Sequence, residues 1–259
     1  MRARPAGSGF GEARATAREA PGWRLRPAGD AAVVVEFTGP SGLGVHRRVL
    51  GLWESLVRDP LPGMVEAVPS HRAVLVVWDP EQASGEAIRS ELESRISAAG
   101  ARAVRRRRLM VIPVVYGGPM GPDLPEVAAL TGLAPEEVVR RHAAGRYVVV
   151  MLGFMPGFCY LGPLDRSLWV PRRATPRLRV PAGSVGIAAG QTGIYSLDDS
   201  PGGWRLIGRT WLRLWDPNRR RPALLQAGDR VRFEPVSLAQ APPQWAERAI
   251  GGSWELESA

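Results

Sequence analysis

From Gly153 to Gly208, glycine and proline recur too densely for any long regular element. Three glycines and a proline sit among aromatics at Gly153–Gly162, and more small residues follow at Pro181–Gly193. Such residues break helices and interrupt strand ladders, so this half of the chain is confined to short strands joined by tight turns. The expected strands are at Val180, Val185–Ala188, Gly193–Ser196, Trp204–Gly208, Leu212–Trp215 and Arg230–Phe233. Many short strands and turns predict a barrel or closed sheet. The stretch before it is more regular. Leu109–Tyr116 and Tyr147–Leu152 read as strands, with one helix from Asp123–Pro125 to Leu130 and another from Ala134–Glu137 to about Ala144.

The first hundred residues carry a different pattern. Trp23–Arg26, Ala31–Phe37, Met64–Pro69 and Ala73–Trp78 read as strands, the last two joined at Ser70-His71-Arg72. Val45, Val49, Leu52, Trp53 and Leu56 fall on one face of a helix, as do Ala87, Ile88, Leu92, Ile96 and Ala99 of a second. A further strand is expected at Ala103–Arg107. The order predicts a small α+β sandwich with helices on one sheet face. The expected organisation is a disordered basic extension at 1–22, an α+β domain at 23–107, a mainly β domain at 108–236 and a tail at 237–259.

All 34 basic residues are arginine, and the net charge is +9. Most of that excess lies in residues 1–26, with six arginines against two glutamates, and in Arg105–Arg108. A tail and one short run are solvated structure more often than a nucleic-acid face, so no nucleic-acid partner is expected. No apolar run is long enough to span a bilayer, and no secretory signal precedes Trp23, so a cytoplasmic protein with no membrane partner is expected. Cys159 is the single cysteine, so an intrachain disulfide is excluded. His46, His71 and His142 form no ligand-spaced pair, and no metal site is expected.

Several segments imitate catalytic motifs. Ala182-Gly183-Ser184-Val185-Gly186 is spelled like a nucleophile elbow but is followed by β-branched residues rather than a helix. Gly203–Thr210 is spelled like a phosphate loop, yet it reads as a strand and has arginine where that loop needs lysine. Ser184, Gln191, Thr192 and Tyr195 are neutral hydrogen-bonding groups suited to an amide or carboxylate. Arg177 and Arg179 could grip a carboxylate or phosphate bidentately, and could equally be surface arginines. His142 stands near a helix end, where a cation suits the dipole, and imidazole can also exchange protons near neutral pH.

Taken in order, Tyr116-Gly117-Gly118 with Gly121-Pro122-Asp123-Leu124, His142, Gly153-Phe154-x-Pro156-Gly157-Phe158-x-Tyr160-Leu161, Pro181–Ala188, Gln191–Tyr195 and Ser200–Thr210 form a specific series. Over about residues 23–236 the sequence resembles the family of bacterial 5-oxoprolinase B subunits, also called KipI-like or allophanate hydrolase subunit 1. The resemblance implies a ferredoxin-like α+β sandwich followed by a cyclophilin-like barrel. It also implies partners, the A and C subunits of 5-oxoprolinase, with which such proteins use ATP to open the 5-oxoproline lactam to glutamate. Whether ATP touches this chain directly is left open. Two other roles occur among proteins with these motifs: the carboxyl-transferring part of urea carboxylase, and inhibition of a sensor histidine kinase.

On this resemblance His142, Gln191, Thr192 and Tyr195 are the expected catalytic residues, with His142 a proton carrier or partner contact. Phe154, Pro156, Gly157, Phe158, Tyr160, Arg177, Pro181, Gly183, Ser184, Gly202, Gly203, Trp204, Gly208, Arg209 and Thr210 are the expected substrate wall. The sequence departs from the family pattern at Ser196 and Trp211, where proline is usual, and at His71, where an aromatic is usual.

Overall fold

The computed structural model describes residues 22–39, 42–98 and 108–245. The expected basic extension, the strand at 103–107 and the end of the tail lie outside those residues. The first part is built from β1 (Trp23–Pro27), β2 (Ala32–Phe37), α1 (Leu43–Arg58), β3 (Met64–Pro69), β4 (Ala73–Trp78) and α2 (Gly85–Ala98). Its sheet is fully antiparallel in the order β1-β2-β4-β3. β2 and β4 each bury every second residue, Val33, Val35 and Phe37 against Val74, Val76 and Trp78, as a sheet with one covered face must. Val45, Val49, Leu52 and Leu56 of α1 and Ile88, Leu92 and Ile96 of α2 complete that core. The edge beside β2 is occupied by β1 through a hairpin.

The second part contains β5 (Leu109–Tyr116), α3 (Leu124–Thr131), α4 (Pro135–Ala144), β6 (Tyr147–Leu152), β7 (Cys159–Gly162), β8 (Arg177–Val180), β9 (Ser184–Ala188), β10 (Gln191–Ile194), β11 (Ser200–Gly202), β12 (Arg205–Arg209) and β13 (Arg230–Pro235). Seven of these strands close a barrel in the order β10-β7-β6-β13-β5-β12-β9, and β9 pairs with β10 to shut it. Every barrel pair is antiparallel except β13 with β5, which run parallel from Arg230↔Leu109 to Pro235↔Val114. Closure removes the open edges that a sheet of short strands would otherwise expose. Ile112, Val149, Leu161, Val185, Ile194, Ile207 and Phe233 fill the interior, and Val127 of α3 and Val138 of α4 join the same core. Strands β8 and β11 form a separate two-stranded ribbon.

Two local expectations change. Cys159–Gly162 belongs to a barrel strand, whereas the sequence reads there as turn and pocket wall. Leu212–Trp215 is not a strand: its backbone is held by Leu224 N–H to Leu214 O and by one bridge between Trp215 and Ala223. Pro217 and Pro222 supply no N–H, so the arm cannot extend into a ladder. Among the described residues, no helix is long and apolar enough to cross a membrane.

Candidate functional site

Strand alternation divides the expected site. Residues 191, 193 and 195 point to the outside of the barrel wall and residues 192 and 194 to its inside, as a period of two requires. Gln191 and Tyr195 therefore lie on one side of β10, and Thr192 on the other with His142.

The inner group is closed. His142 is fully buried, stacked on Phe233 with centroids 4.6 Å apart. The Thr192 hydroxyl donates its one proton to Gly186 O at 3.0 Å. Its oxygen therefore accepts from His142 Nε2–H at 2.9 Å, and Nδ1 accepts from the Tyr116 hydroxyl at 2.7 Å. Both ring nitrogens are satisfied with the imidazole neutral. Burial lowers its pKa to about 3, so the ring does not exchange protons near neutral pH and does not serve as a helix-end cation. Cys159 also faces this interior, its thiol pushed up to about 12 by burial.

This inner histidine makes stability pH-dependent. Its folded pKa lies below the unfolded value of about 6.5, so no penalty arises above that pH. As pH falls from about 6.5 toward 3, the unfolded chain binds a proton that the folded chain does not, costing about 1.4 kcal/mol per pH unit. Urea unfolding at pH 7 and pH 5 should show the loss, and His142→Gln should remove about one proton of the slope. An unchanged slope in the variant would sink this account.

The outer group is an aromatic face. Phe158 stands edge-on to Phe154, Tyr160, Tyr195 and Trp204, at centroid distances of 5.6, 4.8, 5.1 and 5.7 Å. Phe158, Tyr195 and Trp204 are buried, Tyr160 is half-buried, and Phe154 is 61 % exposed at positive φ. Gln191 lies on the same outer side, opposite Ala188, and its amide makes no hydrogen bond among the described residues. Burial pushes the Tyr195 hydroxyl up to about 12.

Small residues make this face possible. A Cβ on Gly202 would sit 2.3 Å from the Tyr195 hydroxyl, and one on Gly193 would meet Cys159 O at 2.8 Å and the Phe158 and Trp204 rings at 3.0 Å. Gly157, at φ +77°, packs on Trp215 and Leu214, and Gly208 packs on Val114. Gly183 turns the chain at φ +82°, with Ser184 buried after it at the start of β9. Pro156 O accepts from Ser196 at 2.6 Å, and Pro181 O accepts the Ser184 N–H at 3.2 Å. Thr210 is buried and donates its N–H to Gly183 O.

The expected charge-holding arginines are engaged within the protein. Arg177 is buried and bonded through both terminal nitrogens to Asp123, at 2.8 and 2.7 Å. Arg209 donates to Ala182 O at 2.8 Å and lies over the Trp245 ring. Asp123, in sequence a helix opener within the Gly121–Leu124 motif, is a charge centre in the fold. Its carboxylate also accepts from Arg173 at 3.2 Å and from the Leu206 N–H at 2.7 Å, while its own N–H donates to Leu206 O at 2.9 Å. It thereby ties the start of α3 to β12 and to the strand that follows the 171–176 loop. Among the described residues, no group of three metal-ligating side chains occurs.

Gly203–Thr210 does not make a phosphate cradle. Arg205–Arg209 is strand β12, paired with β9 on one side and β5 on the other, so its amides serve the barrel ladder. The residues present there do not fit the ATP phosphates.

Residues 23–225 match the family described as carboxyltransferase domain, subdomain C and D. The chain is 39% identical over 229 residues to the B subunit of 5-oxoprolinase from Bacillus subtilis (strain 168), covering 83% of this chain and 93% of the relative. It is 48% identical over 208 residues to the 5-oxoprolinase B subunit of Escherichia coli O157:H7, covering 80% and 93%. The crystal structure of TTHA0988 superposes with a TM-score of 0.71 at 38% identity, over 85% of this chain but only 41% of that longer one.

Proposed function

The chain belongs to the carboxyltransferase domain family, subdomain C and D, and we propose that it is a subunit of an ATP-dependent 5-oxoprolinase that opens the 5-oxoproline lactam to glutamate. The observation that carries this reading is the match across 93% of the length of two bacterial chains named as the B subunit of 5-oxoprolinase. A chain so named belongs to a multi-subunit complex, and we take the A and C subunits as its partners and the cytoplasm as its location. We assign ATP handling to those partners, because Gly203–Thr210 is spent on the barrel. The finer fold assignment belongs to the same reading: a ferredoxin-like sandwich at 23–107 and a cyclophilin-like barrel at 108–236.

The outer aromatic face suits a small ring carrying an amide. The half-buried Tyr160 ring and the exposed Phe154 ring offer apolar contact, with buried Phe158 and Trp204 packed behind them, and the Gln191 amide and Tyr160 hydroxyl offer donors to a lactam oxygen. Donors placed where that oxygen gains charge favour ring opening. His142 and Thr192 act from the far side of β10 by holding the strand that carries Gln191 and Tyr195.

Co-expression with the A and C subunits, followed by assay of glutamate released from 5-oxoproline and ATP, tests the reading. Full activity of those two partners without this chain overturns it. The family description favours one other role, carboxyl transfer; consumption of carboxybiotin without 5-oxoproline turnover in the same assay would select it.

A further inference from the structure

We propose that Arg172 determines substrate specificity on the aromatic face, its guanidinium holding the carboxylate of the small cyclic amide whose ring packs on the half-buried Tyr160. The assignment rests on the 5-oxoprolinase reading. A substrate that is both lactam and carboxylate needs a cation at the rim of an apolar face, and a planar guanidinium matches a carboxylate with two parallel N–H bonds.

The arginines around this face are already occupied, with one exception. Arg177 is bound to Asp123, and Arg173 reaches both Asp123 and Glu126. Arg205 is paired with Glu126 and donates to Pro171 O, and Arg209 donates to Ala182 O. Arg172 is exposed and makes no hydrogen bond or ion pair among the described residues.

The position of Arg172 is fixed from both sides. Its predecessor Pro171 accepts from Arg205 Nε at 3.2 Å, and its successor Arg173 donates its N–H to Gly203 O at 2.8 Å. Both anchors flank Trp204, so residue 172 is rooted where β12 enters the ring cluster. Pro171 and Pro176 bound the loop and restrict its backbone. The positive charge reaches the face itself: at Tyr160 and Tyr195 burial raises the hydroxyl pKa, and Arg172 opposes that rise at both.

The test uses the complex reconstituted with the A and C subunits. Arg172→Gln should raise KM for 5-oxoproline roughly tenfold or more while leaving kcat within about twofold, the signature of lost uniform binding. Arg172→Lys should recover part of the loss. Inhibition by 2-pyrrolidinone, the same ring without the carboxylate, should be unchanged in Arg172→Gln. A variant with unaltered KM for 5-oxoproline overturns the assignment, and so does one in which 2-pyrrolidinone weakens in parallel. A wild-type complex that releases no glutamate overturns the functional reading and takes this assignment with it.

Discussion

Gly183→Ala should abolish accumulation of soluble folded protein. The Cβ it adds would sit 2.0 Å from Thr210 O, a backbone atom. That carbonyl belongs to a residue whose N–H is bonded to Gly183 O, while the Gly183 N–H is bonded to Tyr195 O at 2.7 Å. Neither side can withdraw without breaking the other contact. The residue also sits at φ +82°, where an L side chain costs about 1–2 kcal/mol, and overpacking adds about 1–3 kcal/mol or more. Together these remove much of a typical stability of about 5–15 kcal/mol. Gly29→Ala separates the two causes, because Gly29 has φ +79° with nothing within 4 Å of the new Cβ. It should lose only the backbone share. Equal soluble yields of the two variants would contradict the close approach at Gly183.

Asp123→Ala should cost about 3–5 kcal/mol, because it strands the buried Arg177 guanidinium without a counter-charge. Asp123→Asn keeps a hydrogen-bonding oxygen for Leu206 N–H and should fall between wild type and alanine. The double variant Asp123→Ala with Arg177→Met should recover part of the loss, since a buried pair replaced as a unit leaves no orphan charge. Urea denaturation of these four proteins and of Arg177→Met alone at pH 7 decides the matter. Additive losses in the double variant would show that the two side chains do not act as a pair.

The two variants also mark what sequence alone could reach. The hairpin β3–β4 and strand β5 are legible to the residue, because short apolar, β-branched runs and flanking turn residues agree there. Strand β7 is not, since Cys159–Gly162 is short and its aromatic and glycine neighbours read as a turn. The small-residue motifs are legible as close approaches of the backbone, but what approaches is not. Gly202 meets Tyr195 and Gly183 meets Thr210, so the partners are the protein's own atoms. Arginine roles are the least legible. Arg177 and Asp123 are 54 positions apart, and no local pattern announces their pairing. Arg172 differs from Arg173 by one position, yet one is exposed and unpaired and the other is drawn onto Asp123.

The parallel pairing of β13 with β5 has a consequence for synthesis. The wall between β5 and β6 is filled by residues 230–235, which leave the ribosome more than a hundred positions after Leu109. Until then both neighbours present bare amides and carbonyls, and closing so long a loop is slow. A nascent chain of this protein thus carries two adhesive strand edges from the synthesis of Leu152 until residues 230–235 follow, and capping them is the task of β13.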